Sequence, residues 1–180
     1  MAQRKANETH VEPVQPHQLE IVRIFDAPRT LVYQMWSTPD HLNKWSAPKG
    51  FTIPGARTDF REGGSWYARM CSADGADHRV QGTYREIVEG KRIVMTHAWL
   101  DATGKPEHET LVTVTFEDHG TKTKMTFVQQ GFASPESRDS HAGGWNECFD
   151  LLRDYLATVL RVPHAKEKSR ENLSDREIVM

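Results

Sequence analysis

Hydrophobic spacing along the chain changes character three times, and each change marks a different kind of element. Leu19-Glu20-Ile21-Val22-Arg23-Ile24-Phe25 is rich in β-branched residues and stops at Asp26-Ala27-Pro28, which predicts a strand and then a helix start with Asp26 or Ala27 at the cap. Leu31, Val32, Met35 and Trp36 recur at helical spacing. Ser37-Thr38-Pro39-Asp40 then repeats the start signal, with Thr38 as N-cap and Pro39 at the first helical position. The second short helix carries Leu42 and Trp45 on one face and ends before Pro48-Lys49-Gly50, where a loop must form.

From Phe51 to Gly131 the period becomes two. Turn signals fall at Glu62-Gly63-Gly64, Asp74-Gly75, Glu89-Gly90, Asp101 to Pro106 and His119-Gly120, which predicts six strands in an antiparallel meander. In the clearest of them Val112, Val114 and Phe116 face one side, and Leu111, Thr113 and Thr115 the other. Ile93, Met95, His97 and Trp99 share one face of another strand, as do Met125, Phe127 and Gln129 near the end of the run. The last element opens at Ser134-Pro135-Glu136 with a serine cap, a proline at the first position and an acid in the first turn. Trp145, Cys148, Phe149, Leu152, Tyr155, Leu156 and Val159 then form one apolar stripe on a long helix, and only the sheet can cover it.

These elements predict an α+β fold: a curved seven-stranded antiparallel sheet wrapped round a long C-terminal helix, with two short helices after the first strand. Because a helix with its side chains is about 10 to 12 Å across, a strongly curved sheet leaves space beside it unless bulky residues fill the gap. The expected domain is residues 18–161. Residues 1–17 and 162–180 are polar and lack an apolar period, so they are expected to be flexible tails.

Composition narrows the function further. With 23 Lys and Arg against 25 Asp and Glu, the net charge of −2 supplies no basic surplus for a nucleic-acid backbone. No apolar run approaches the length of about 20 residues needed to span a membrane, and the polar N-terminus has no secretory pattern, so a cytoplasmic location is expected. Cys71 and Cys148 have no metal-ligand or redox spacing, which predicts two reduced thiols, no metal and no cofactor.

Several segments together resemble the START-like (SRPBCC), helix-grip superfamily, and within it the branch named for the activator of the heat-shock-protein-90 ATPase. They are Arg23-Ile24-Phe25-Asp26-Ala27-Pro28, Trp36-Ser37-Thr38-Pro39-Asp40-His41-Leu42 with Lys44-Trp45, Phe60-Arg61-Glu62-Gly63-Gly64-Ser65-Trp66, Gly82-Thr83-Tyr84-Arg85-Glu86-Ile87, Val112 to Phe116, and Gly143-Gly144-Trp145 with Leu152 and Tyr155-Leu156. The resemblance spans about residues 19–157. It implies a cavity and not a particular reaction, since members include carriers of hydrophobic ligands, polyketide cyclases and a chaperone-activating domain. Ser46-Ala47-Pro48 stands where many relatives carry a second tryptophan, which is expected to widen or polarise the cavity mouth.

The candidate cavity residues are Trp45, Trp66, Met95, His97, Trp99, Phe127, His141, Trp145 and Phe149, with Gly143 and Gly144 shaping an opening. Tryptophan offers a large apolar surface and one donor to a ligand, but the same residues serve equally as core. His97 and His141 could anchor a polar group, transfer a proton, or be hydrogen-bonded core histidines. The adjacent glycines each cost a helix about 1 kcal/mol relative to alanine; they either open the pocket or let backbone pack tightly on a strand. Arg69 and Arg79 could meet across a hairpin as an anion clamp or form ion pairs on a solvent face. Glu107 and Glu109 are expected on a solvated edge, and Ser134 is a cap rather than a nucleophile. The leading expectation is a domain that carries, sequesters or senses a small hydrophobic or aromatic molecule. A cyclase or hydrolase using the same cavity, and a module docking on a chaperone or stress-response protein, are the alternatives.

Overall fold

The structure is a computed structural model and describes residues 17–162; the expected tails therefore lie almost wholly outside the described residues. In chain order the elements are β1 (Gln18–Phe25), α1 (Arg29–Ser37), α2 (Pro39–Trp45), β2 (Phe51–Thr58), β3 (Ser65–Ser72), β4 (Asp77–Val88), β5 (Arg92–Leu100), β6 (Pro106–His119), β7 (Lys122–Gln130) and α3 (Pro135–Arg161). The seven strands make one sheet in the order β1-β7-β6-β5-β4-β3-β2, antiparallel throughout. The register breaks in the β2–β3, β4–β5 and β5–β6 pairs. Such irregularities bend a strand and raise its twist, and here they curl the sheet round α3.

Each strand contributes alternate residues to the concave face, as the two-residue period requires. Val112, Val114 and Phe116 are buried there, opposite Gln129, Phe127 and Met125 of β7. The edge strand β1 adds Leu19, Ile21 and Phe25. Between them Arg23 reaches from the same face to α3, donating to Asp150 Oδ1 at 2.9 Å and to Asn146 Oδ1 at 3.0 Å. That ion pair holds the Asp150 carboxyl below the usual carboxylate range and fixes the helix against the sheet edge. The backbone of α3 accordingly runs alongside β1 and α2.

Local start signals are met unevenly. Ser134 caps α3 as expected, its Oγ accepting the Ser137 N–H at 3.1 Å. Thr38 holds the N-cap position of α2 without a side-chain capping bond. Neither Asp26 nor Ala27 caps α1: the N-cap is Pro28, whose carbonyl accepts from Leu31 and Val32 at 3.0 and 3.1 Å. The turn is set from a distance instead, because buried Thr123 on β7 donates its hydroxyl to the Ala27 carbonyl at 2.7 Å.

One glycine is required where strands approach closely. A Cβ on Gly82 would lie 1.8 Å from the Thr96 carbonyl oxygen and 2.4 Å from Trp66 Nε1. Without that atom the Trp66 indole can cross β4 and donate to the Thr96 carbonyl at 3.2 Å, while Thr96 Oγ1 accepts the Thr83 N–H at 2.9 Å. Side-chain bonds thus tie β3 and β4 to β5 just before the register between β4 and β5 shifts, between Tyr84 and Glu86.

Candidate functional site

A cavity of about 520 Å³ lies between the concave face and the N-terminal half of α3. Its deep wall is apolar: Trp36 and Trp45 from the short helices, Tyr84 from β4, and Ile93 and Met95 from β5, all buried. Its rim is polar, with exposed Asn43, His78, Ser140 and Glu147. The space exists because α3 changes character along its length. Phe149, Leu152 and Leu156 fill the interior in its second half, whereas Ser140, His141 and Gly144 leave it open in the first. Ligand sites in general are clefts of about 300 to 1,000 Å³ with apolar walls and a few polar groups.

Of the residues singled out by sequence, Trp45, Trp66, Met95, His97, Trp99, His141, Trp145 and Gly144 border this space. Phe127, Phe149 and Gly143 do not. Phe127 and Phe149 are fully buried and pack edge to face at 5.3 Å behind the wall, so they support the Trp145 ring rather than face the opening. Gly143 is exposed with nothing within 4 Å of an added Cβ, and at Gly144 the nearest atom would be Pro48 Cγ at 3.7 Å. Neither glycine packs on a strand. Gly144 meets the loop after α2, where Glu147 Oε2 also accepts the Lys49 N–H at 3.1 Å. Ser46 and Pro48 of that loop border the cavity.

The indole donors show which tryptophans are committed. Trp45 donates to the Met35 carbonyl at 3.1 Å, Trp66 to the Thr96 carbonyl, Trp99 to His141 Nε2 at 3.0 Å and Trp145 to Gln129 Oε1 at 2.7 Å. Trp36, read from sequence only as part of a helical stripe, is different. It borders the cavity, stacks on Trp145 and Phe127 at 6.4 Å, and its Nε1 is the buried side-chain polar atom without a partner among the described residues.

Trp145 begins a buried polar chain that ties α3 to three strands. Gln129, fully buried, accepts from Trp145 and donates to Thr110 Oγ1 at 2.8 Å; Thr110 in turn donates to the His97 carbonyl at 3.1 Å. Every polar atom named in that chain has a partner, the condition under which a buried network specifies one arrangement. Gln129 was legible as a concave-face residue, but its partner on α3 is 16 positions away and no local signal announces it.

The two histidines differ in what they have free. His141 accepts the Trp99 N–H at Nε2, so its Nδ1 carries the proton and donates to the Ser137 carbonyl at 2.7 Å. Both of its nitrogens are engaged. His97 is 5% exposed, and burial, with His141 beside it, pushes its pKa down to about 3. Its ring centroid lies 5.4 Å from that of Trp99, 5.7 Å from His141 and 5.8 Å from Trp66. Burial also pushes the Tyr84 hydroxyl and the Cys148 thiol up to about 12, so both cavity-wall groups are protonated at neutral pH. A thiol in that state is a poor nucleophile.

Other sequence candidates lie away from the cavity. Arg69 and Arg79 are register partners, but Arg69 pairs with Asp77 at 3.0 Å and Arg79 donates to the Asp101 and Ala102 carbonyls at 3.3 Å, so each is turned to a different partner. Glu107 and Glu109 are exposed. Among the described residues no group of three metal-ligating side chains occurs, and no helix is long and apolar enough to cross a membrane.

Comparison with known proteins agrees with this architecture. The family described as activator of Hsp90 ATPase homolog 1-like protein matches residues 26–157. The AHSA1 protein from Silicibacter pomeroyi is similar in structure at 21% identity with a TM-score of 0.73, the match covering 79% of this chain and 99% of that one. A protein from Chromobacterium violaceum is 26% identical with a TM-score of 0.70, covering 79% and 98% of the two chains. One from Rhizobium leguminosarum is 26% identical with a TM-score of 0.69, covering 78% and 94%. No curated protein matches. With most of its length matched and the helix-grip architecture in place, the chain belongs to the activator of Hsp90 ATPase homolog 1-like family of the START-like superfamily.

Proposed function

We propose that this domain binds a small apolar or aromatic molecule in the cavity between the sheet and α3, acting as a carrier, a sequestering protein or a sensor. The observation that supports it is an interior space of about 520 Å³ with an apolar floor and a polar rim. Burying a guest's apolar surface there contributes about 25 cal/mol per Å² removed from water, offset in part by the freedom the guest loses. A cyclase or hydrolase mechanism would need a group that exchanges protons near neutrality. His141 has both nitrogens engaged and His97 is held neutral down to about pH 3, so binding is the reading the site favours.

The test is a titration of the intrinsic tryptophan fluorescence with the uncharged probe N-phenyl-1-naphthylamine. A saturable signal is expected, weakened at least about tenfold by Trp99→Ala or Trp145→Ala through loss of wall area. No saturation, or wild-type affinity retained in both variants, contradicts the proposal.

A further inference from the structure

The cavity wall carries almost no formal charge. Among the described residues that line it there is no Lys or Arg, and its one carboxylate, Glu147, lies exposed at the rim with an oxygen already accepting the Lys49 N–H. His141, the neighbour of His97, has both ring nitrogens engaged, Nε2 by the Trp99 N–H and Nδ1 by the Ser137 carbonyl.

His97 is the polar group best placed for a guest. The residue is 5% exposed and lines the cavity. Among the described residues no other side chain or backbone group hydrogen-bonds its ring, and the Thr110 hydroxyl engages only its backbone carbonyl. Its nitrogens are nonetheless not sealed off, because the sealed side-chain atom without a partner among the described residues is Trp36 Nε1. A neutral imidazole offers one N–H donor and one acceptor. Here the ring borders the interior space, its centroid 5.8 Å from that of Trp66, 5.4 Å from Trp99 and 6.2 Å from Trp145.

We infer that the cavity selects uncharged guests: an apolar or aromatic body with one neutral polar head, such as an amide, alcohol or ketone, that hydrogen-bonds the His97 ring. Carboxylates and phosphates are rejected. This rests on the binding role proposed above and adds the chemistry of the guest. A buried anion is tolerated only with a cation or several donors around it. The wall supplies no cation, and protonating His97 would place a charge against the desolvation that already holds its pKa at about 3. A neutral head needs only the one hydrogen bond that the imidazole can make in the form it already has.

Three probes sharing one ring system separate the possibilities: naphthalene, 2-naphthamide and 2-naphthoate, each titrated by NMR at pH 7.5. The amide should bind about tenfold tighter than naphthalene and at least about tenfold tighter than naphthoate. In His97→Phe the amide should fall to the affinity of naphthalene. A second measurement needs no variant: in the wild-type protein the amide should shift the ring nitrogen resonances of His97, and naphthalene should not move them comparably. Naphthoate binding as tightly as the amide, or amide binding with the His97 nitrogens unmoved, overturns the charge selection while leaving the binding role standing. If none of the three binds, both fall together.

Discussion

The two halves of the grip use the same sheet and the same helix yet do opposite things with their interior. Where β1, β6 and β7 face the second half of α3, Phe25, Met125, Phe127, Phe149 and Leu152 are buried at 2% exposure or less and leave no room. Where β3, β4 and β5 face the first half, Trp66, Val80, Tyr84, Met95 and His97 surround about 520 Å³ of space. The difference lies less in hydrophobicity than in helix placement. The Arg23–Asp150 ion pair and the close approach to β1 draw α3 toward one side of the curved sheet, so the strands farther round the curve meet the helix only through long side chains. Stability is therefore concentrated in one half, and the capacity to bind in the other.

Substitutions that respect this division should separate the two properties. The largest stability loss is expected from Phe149→Ala in the filled half, about 3 to 5 kcal/mol by denaturant unfolding, because a large buried side chain leaves a hole its neighbours cannot close. Trp99→Ala in the open half should cost clearly less stability and instead weaken probe binding; equal losses of stability would erase the distinction. Gln129→Leu sits on the border. It strands the Trp145 N–H and removes the donor to Thr110 Oγ1, whose own hydrogen keeps the His97 carbonyl, so unfolding should show a loss of about 1 to 3 kcal/mol, with Trp145 fluorescence altered as the α3 tie is released.

Acidity offers a third way to probe the open half. The imidazole of an unfolded chain titrates near 6.5, whereas His97 in the fold is held at about 3. Between those values the unfolded chain binds the proton and the folded one does not. The stability tied to His97 is thus complete above about pH 6.5 and is lost as pH falls toward 3, at up to about 1.4 kcal/mol per pH unit. The carboxyls of Asp77, Asp101 and Asp150, held below their ordinary range by Arg69, Thr103 and Arg23 respectively, add losses of the same sign only at lower pH. Unfolding midpoints between pH 6.5 and 4.5 should therefore fall more steeply for the wild type than for His97→Phe. Parallel slopes would mean that the ring is not shielded from water in the way its surroundings imply.

The smallest effect should have the opposite sign. Nothing within 4 Å would meet a Cβ at Gly143, so Gly143→Ala should stabilise the helix by about 1 kcal/mol and leave probe binding unchanged. A loss of stability would show that Gly143 is needed for a reason other than close packing, since the space around it is open.

Much of this architecture could be read from the sequence because period is a local property. The alternation in β6 put Val112, Val114 and Phe116 on the concave face, and the Ser134-Pro135 pair marked the start of α3 within one residue. The candidate site was legible only in outline. Trp36 looks like any apolar residue of a short helix, and nothing nearby distinguishes an indole whose donor finds no partner among the described residues from the four that do. Phe127 and Phe149 shared faces with cavity residues but lie behind the wall, a matter of how far the helix stands from each strand. The start of α1 was assigned to Asp26 or Ala27 because capping chemistry is usually local, whereas here Thr123, 96 positions on, fixes the turn. What period and capping cannot encode is the pairing of distant side chains, and the cavity is made of such pairings.

Methionine methyl groups report on both halves in one experiment. Met70 and Met95 border the open space, while Met35 and Met125 are fully buried in the filled core. Titrating the labelled protein with naphthalene should shift the Met70 and Met95 methyl resonances in a saturable way and leave those of Met35 and Met125 close to their starting positions. Saturable shifts confined to Met35 and Met125, or four resonances that never move, would contradict a guest site between the sheet and the first half of α3.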